Sequence, residues 1–412
     1  MNKPASSQIA IDEPEEDRFA ISNFSPELET VIHGLKWGEF QVRWDAAKKL
    51  PHCGPAALPA LLQLLRDPEA DEELLWFGAR ALGQFDRPEA IAALADLLDA
   101  GEDEDVVAAA AAGIASFGTV AIPPLQSLLA DESKRLSAVR ALAYIRSVEA
   151  VPPLLSVLED RGATVREAAL NALASLPETP ESLAAAISAL CDPASGVRQA
   201  AVTGLSAWLP RHPEIDWLSY LQPLLVDLNS QVAIAAAIAV GRVGSEAAAN
   251  ALRALCRDSL APESLRLAAV RSLGWIATPI ALAHLRDCLM ESSASLQLTC
   301  IRVLGRVEVP LLKIGAAGAL TDWLQQQAIA AVDPPALQAI AHSLGQLGQF
   351  DSFTSLVQLL SCQHMGVRLH AIAALQQLDR VRSRQQLVAI AQQRDLAPQL
   401  ARGIAIALAE WE

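Results

Sequence analysis

The chain has 412 residues, 52% of them hydrophobic, 4% aromatic and 19% charged, with a formal net charge of −15. Such an acidic protein repels polyphosphate, which argues against nucleic acid as a ligand. Its six scattered cysteines form no C-x-x-C pair, which argues against a disulfide framework and for a reducing, cytoplasmic setting. Nine basic and eight acidic side chains follow residue 300, so the acidic excess belongs to the first 300 residues.

Residues 1–24 carry Asp12, Glu13, Glu15, Glu16 and Asp17 ahead of Phe19, and read as a disordered acidic tail without the apolar core of a signal peptide. Ser25 before Pro26 is a helix cap. The segment it opens, ending in Trp37, is suited to be the terminal cap of whatever follows. From residue 25 to 412 the chain reads as one continuous array.

One phrase recurs along that array: VRWDAAKKL from Val42, VREAALNAL from Val165, VRQAAVTGL from Val197, LRLAAVRSLG from Leu265 and VRLHAIAAL from Val367. Aligning the rest gives twelve anchors, at Val42, Leu74, Val106, Lys134, Val165, Val197, Val232, Leu265, Leu296, Ala336, Val367 and Leu400. A period of about 32 residues means a solenoid. After each anchor apolar residues return with helical spacing, as in Val165, Ala169, Leu173 and Leu176, which share an arc of about 80°. A second apolar helix follows, with Pro59, Pro123, Pro152 or Pro223 expected in its first turn. The fold class is therefore all-α: an α-solenoid, a right-handed superhelix of about twelve short hairpins. The long interval after Leu296, containing PLLKIGAAGAL, is where the array is expected to bend or break.

Asp160 precedes Arg166, and Asp192 precedes Arg198, by the same six positions. An Asp in the turn and an Arg on the next helix can pair across repeats, so Arg43, Arg166, Arg198, Arg266 and Arg368, with Asp160 and Asp192, are expected to form a structural ladder. Each pair contributes about 0–1 kcal/mol where exposed.

The pattern V-R-x-x-A-x-x-A-L-G followed by A-V-P-x-L-x-x-L-L resembles the HEAT-like repeats of cyanobacterial phycobilin lyases and their relatives, from about Pro26 to the end. LKWGEFQVRWDAAKKL looks most like the members of that group that bind the iron–sulfur assembly factor IscA. The resemblance implies a protein partner: an iron–sulfur assembly factor, or a phycobiliprotein or other photosynthetic component. It also implies an alternative activity, attachment of a bilin to a phycobiliprotein cysteine. Repeats specify fold far better than function.

Catalytic motifs are missing. There is no H-E-x-x-H, no P-loop and no glycine-rich dinucleotide turn. Cys362, His364 and His370 are weak metal candidates, lacking a fourth ligand and divided between a turn and a helix. No resident cofactor is expected. A lyase would need acids or phenols around an apolar cleft, and only Tyr144 and Tyr220 are phenols. Val106–Ala115 is the richest apolar run and too short to span a membrane. Arg380, Arg382 and Arg384 read as a solvated loop.

Eight Trp against two Tyr is unusual. Trp37, Trp44, Trp76 and Phe77 gather in the first two repeats. Trp44 and Trp76 share one offset, opposite the inward stripe, so their rings should lie side by side on the outer surface. They are either a partner-binding spot or the ground that the N-terminal helix covers. Trp208, Trp217 and Trp275 are expected in the core or at junctions, and Cys191, Cys256 and Cys288 as small buried fillers. The best-supported function is a non-catalytic adaptor.

Overall fold

The computed structural model describes residues 25–100, 103–393 and 395–411. The acidic segment 1–24 lies outside them. The chain divides into two compact units, residues 1–157 and 158–412. Among the described residues every element is helical and no strand occurs.

In the first unit, α1 (Pro26–Trp37) precedes four hairpins: α2 (Phe40–Lys49) with α3 (Ala57–Leu65), α4 (Glu72–Leu82) with α5 (Pro88–Ala100), α6 (Glu104–Phe117) with α7 (Ile122–Leu128), and α8 (Arg135–Tyr144) with α9 (Val151–Leu155). The second unit holds α10 (Ala163–Ser175) with α11 (Pro180–Ser188), α12 (Ser195–Trp208) with α13 (Trp217–Leu221), α14 (Ser230–Val243) with α15 (Glu246–Arg257), and α16 (Glu263–Trp275) with α17 (Pro279–Glu291). It continues with α18 (Ala294–Gly305) and α19 (Pro310–Gln325), α20 (Pro334–Leu347) and α21 (Phe353–Leu359), then α22 (Met365–Ala391) and α23 (Pro398–Ala409). Asp379, with non-helical dihedrals, breaks α22 into both arms of a hairpin. Each anchor opens a first helix, and α23 is a first helix without a second among the described residues.

The sequence enforces this locally. Ser25 accepts from the Leu28 amide, Asp71 from Leu74, Asp103 from Asp105 and Val106, and Thr179 forms a capping box with Ser182. Each cap satisfies amides that would otherwise lack partners, worth about 1 kcal/mol. Pro59, Pro123 and Pro152 sit in first turns, but Pro223 lies in a 3₁₀ turn, Gln222–Val226, that replaces the rest of the short α13.

First helices pack on first helices within each unit, for example α12 on α14 and α18 on α20. The stripe Val165, Ala169, Leu173 and Leu176 is buried, each large apolar side chain contributing about 1.5–3 kcal/mol. Small residues let the helices close up. A Cβ on Gly241 would lie 3.0 Å from the Ser272 Cα, and one on Gly305 2.9 Å from the Ser343 Cα. The long interval after Leu296 does not interrupt the stack. It is absorbed by the 16-residue α19 and a 3₁₀ turn, Ile329–Ala331, while α18 still packs on α20.

Glu104–Leu128 is long and apolar enough to cross a membrane by length and composition. Gly118, at φ 56°, turns it into α6 and α7, and both arms pack within the first unit. Hydropathy averaged over the turn misses the break that the glycine makes.

Candidate partner-binding surface

The arginine ladder sets the register of the helices that carry surface residues. Arg198 donates from Nε and Nη2 to both carboxylate oxygens of Asp227, at 2.7 and 2.8 Å, and from Nη1 to the Asp192 carbonyl at 2.7 Å. Arg166 treats Asp192 and the Asp160 carbonyl the same way. Arg43, buried, grips Asp71 with Nη1 and Nη2 and donates to the Gly38 and Lys36 carbonyls, tying the end of α1 to α2 and α4. The pairing differs from the one expected: Arg166 and Arg198 each take the carboxylate one repeat ahead and only the carbonyl of the aspartate six positions back. The Asp160 carboxylate instead accepts from the Gly162 amide. The guanidinium fork reaches both neighbours because its nitrogens diverge. Arg166 holds the Asp192 carboxyl, and Arg198 the Asp227 carboxyl, below the ordinary carboxylate range. Arg266 and Arg368 keep only the carbonyl half, donating to Cys256 and to Cys362 and Gln363.

On the first unit, α2 packs on α4, and the equal offsets of Trp44 and Trp76 bring their rings together, centroids 6.3 Å apart and 26° from parallel. Phe40, one turn before Trp44, stacks on Trp44 at 6.3 Å and meets Trp76 at 6.4 Å. Arg80, one turn after Trp76, lies 5.0 Å from both indole centroids, and Lys48, one turn after Trp44, lies 4.7 Å from that ring. Each such cation contributes about 0.5–1 kcal/mol. Phe40 is 55% exposed and Trp37 66%, while Trp44 and Trp76 are half-buried.

Phe77 is fully buried and meets Trp76 edge-on at 4.8 Å, so it is the floor of this cluster and offers nothing to a partner. The helix α1 caps the unit with Leu28, Val31, Ile32 and Leu35, and its own ring, Trp37, lies against Lys36. The rings are therefore neither fully outside nor roofed by α1. Sequence reasoning missed Phe40 and Arg80. The signal was there, in the one-turn spacing of Phe40–Trp44 and Trp76–Arg80.

Other expectations fare differently. Trp208 and Trp217 are buried, but Trp275 is 55% exposed, because its position at the end of α16 projects beyond the packed stripe. Cys256 and Cys288 are buried and Cys300 joins them on α18, whereas Cys191 is exposed at the end of a 3₁₀ turn. Arg380, Arg382 and Arg384 belong to the second arm of α22 rather than a loop; Arg380 donates to the Trp411 carbonyl and Arg382 lies 3.7 Å over the Phe350 ring.

Cys362, His364 and His370 are not assembled as a metal site: the Cys362 carbonyl serves Arg368, His364 stands at the N-cap position of α22 with no side-chain hydrogen bond to the helix, and His370 Nδ1 donates to the Gly366 carbonyl. Among the described residues no group of three His, Cys, Asp or Glu is placed to hold a metal ion.

No curated protein matches the chain. Among solved structures it is similar to Kap95p in the complex in which its binding induces the switch loops of RanGDP to adopt the GTP-bound conformation, with 14% identity, TM-score 0.53 and 93% of this chain aligned to 59% of that one. It is also similar to importin beta in an ammonium sulfate condition, at 12% identity and TM-score 0.47, over 94% of this chain and 62% of that one. A third is an engineered protein, at 21% identity and TM-score 0.36, over 86% of this chain and 99% of that one. The HEAT repeat pattern matches residues 28–115, 122–206, 187–263 and 218–305, well over half of the sequence. The stacked helical hairpins and this match together show that the chain belongs to the HEAT-repeat family.

Proposed function

We propose that this protein is a non-catalytic interaction scaffold and that Phe40, Trp44 and Trp76, flanked by Lys48 and Arg80, are the centre of a partner-binding surface. The observation that carries this reading is a stacked aromatic group on two adjacent first helices, Phe40 exposed and Trp44 and Trp76 half-buried, the composition in which binding energy concentrates. The same architecture in Kap95p engages RanGDP. The finer reading, on the sequence resemblance, is service to a cyanobacterial assembly process: iron–sulfur assembly through IscA, or photosynthetic and phycobilisome components. Buried free thiols suit a reducing compartment such as the cytoplasm.

The bilin-lyase alternative has less support. Protonating and orienting a bilin requires acids or phenols converging on an apolar cleft, and the apolar groove beside Trp275 is lined by one carboxylate, Glu308, and by no phenol.

A pull-down with the intact protein tests the proposal. Trp44→Ala with Trp76→Ala should lose a stoichiometric protein partner that the wild type retains. Full retention of that partner would sink the assignment of this surface. Covalent bilin transfer on coexpression with pigment and acceptor subunit would replace it with the lyase reading.

A further inference from the structure

Within the second unit, one face concentrates positive charge in a chain whose net charge is −15. Arg302 and Arg306, one turn apart at the end of α18, face Gln338, His342 and Gln346 on α20 and His370 on α22 around a cavity of about 380 Å³. No carboxylate lines it. The arginines of the ladder are committed to aspartates or carbonyls, whereas neither Arg302 nor Arg306 has an ion-pair partner among the described residues.

Arg306 also lines a second depression, of about 510 Å³, walled by Trp275, Leu282, Val303, Val307, Val309 and Leu312. Its volume lies in the range of ligand-holding clefts. A half-exposed indole at the mouth of an aliphatic groove is the usual form of an anchor site for a buried side chain. Glu308 is the only carboxylate along it.

We propose that the two depressions form one binding site for an acidic linear peptide of a partner protein, a bulky apolar side chain entering the Trp275 groove while neighbouring carboxylates meet Arg302 and Arg306. The joining residue is Arg306, which touches both halves. Charge complementarity selects the occupant: the site supplies guanidinium forks and amides, and a peptide supplies both carboxylates and the aliphatic or aromatic anchor that the groove requires. A nucleic acid could satisfy the arginines, but it carries no aliphatic side chain for the groove and must approach an otherwise acidic protein. The site is independent of the aromatic surface on the first unit.

The test is fluorescence anisotropy on the full chain, with a fluorescein-labelled peptide rich in Glu and Asp that carries Phe and Leu one helical turn apart. Saturable binding that weakens with added salt is expected. Arg302→Glu with Arg306→Glu should weaken it by at least about tenfold, Trp275→Ala should weaken it, and Arg302→Lys with Arg306→Lys should restore most of it. Unchanged melting temperatures establish that the variants fold. The Trp44→Ala, Trp76→Ala protein should bind the probe like wild type, which separates this site from the aromatic one. The proposal is overturned by no saturable binding, by equal binding of a probe with Gln and Asn in place of the acids, by retention in the charge-reversed variant, or by an oligonucleotide binding as tightly as the peptide.

Discussion

Arg198 and Asp227 form a two-pronged ion pair, at 2.7 and 2.8 Å, between α12 and the turn that opens α14, with side chains only 16% and 7% exposed. The geometry repeats at Arg166–Asp192, so neighbouring hairpins are locked at the same point along the helix. Exposed ion pairs add little to stability, but here removing one partner strands a buried charge.

Arg198→Ala should therefore destabilise the protein by about 2 kcal/mol, read from urea denaturation. Arg198→Lys should recover only part of this, because a single ammonium cannot hold both carboxylate oxygens and the Asp192 carbonyl. A Lys variant as stable as wild type would show that the fork is dispensable.

Acid should loosen the ladder. The folded-state pKa values of Asp192 and Asp227 are depressed, first by hydrogen bonds from Arg166 and Arg198, so their contribution is present above the ordinary aspartate value. It is lost as pH falls below about 4 toward the folded-state values. Melting temperature against pH should drop in that range, and more shallowly in a variant where Asp227→Asn has already removed one titrating group.

His212 should behave in the opposite sense. It lies between Glu178 and Glu214, and these carboxylates raise its pKa above the ordinary imidazole range. The extra hold on the connection between α12 and α13 is complete below about pH 6.5 and disappears as pH rises through the raised value. An NMR titration of the His212 ring checks the direction, and Glu178→Gln should lower its midpoint.

Gly305→Ala should cost about 1–3 kcal/mol. The added methyl would lie 2.9 Å from the Ser343 Cα, a backbone atom that cannot turn aside, and Ser343 itself is buried and donates to the Ile301 carbonyl. The measurement is the shift in melting temperature. Gly318→Ala, where nothing lies within 4 Å, is the control and should be neutral or mildly stabilising.

Trp44→Ala with Trp76→Ala should leave the core intact, because Phe77 and Leu74 below them stay buried. A loss of partner affinity of more than about 2 kcal/mol with a small change in melting temperature is expected. A large fall in melting temperature with protease sensitivity at α1 would mark the rings as part of the cap.

The sequence by itself determined the repeat, the helix starts and the pairing of Trp44 with Trp76. Those depend on spacing along one helix or on equal offsets in adjacent copies, and both are linear properties. Phe40 and Arg80 were within reach of the same one-turn rule. Tertiary structure alone decided that Arg166 takes the carboxylate of Asp192 rather than Asp160, that Phe77 is a floor and Trp275 a rim, and that Arg302, His342 and His370 surround one cavity. Each of these depends on how far one helix is rotated and displaced against the next. That displacement is set by side-chain volumes at contacts such as Gly305 against Ser343, which a periodic pattern does not encode.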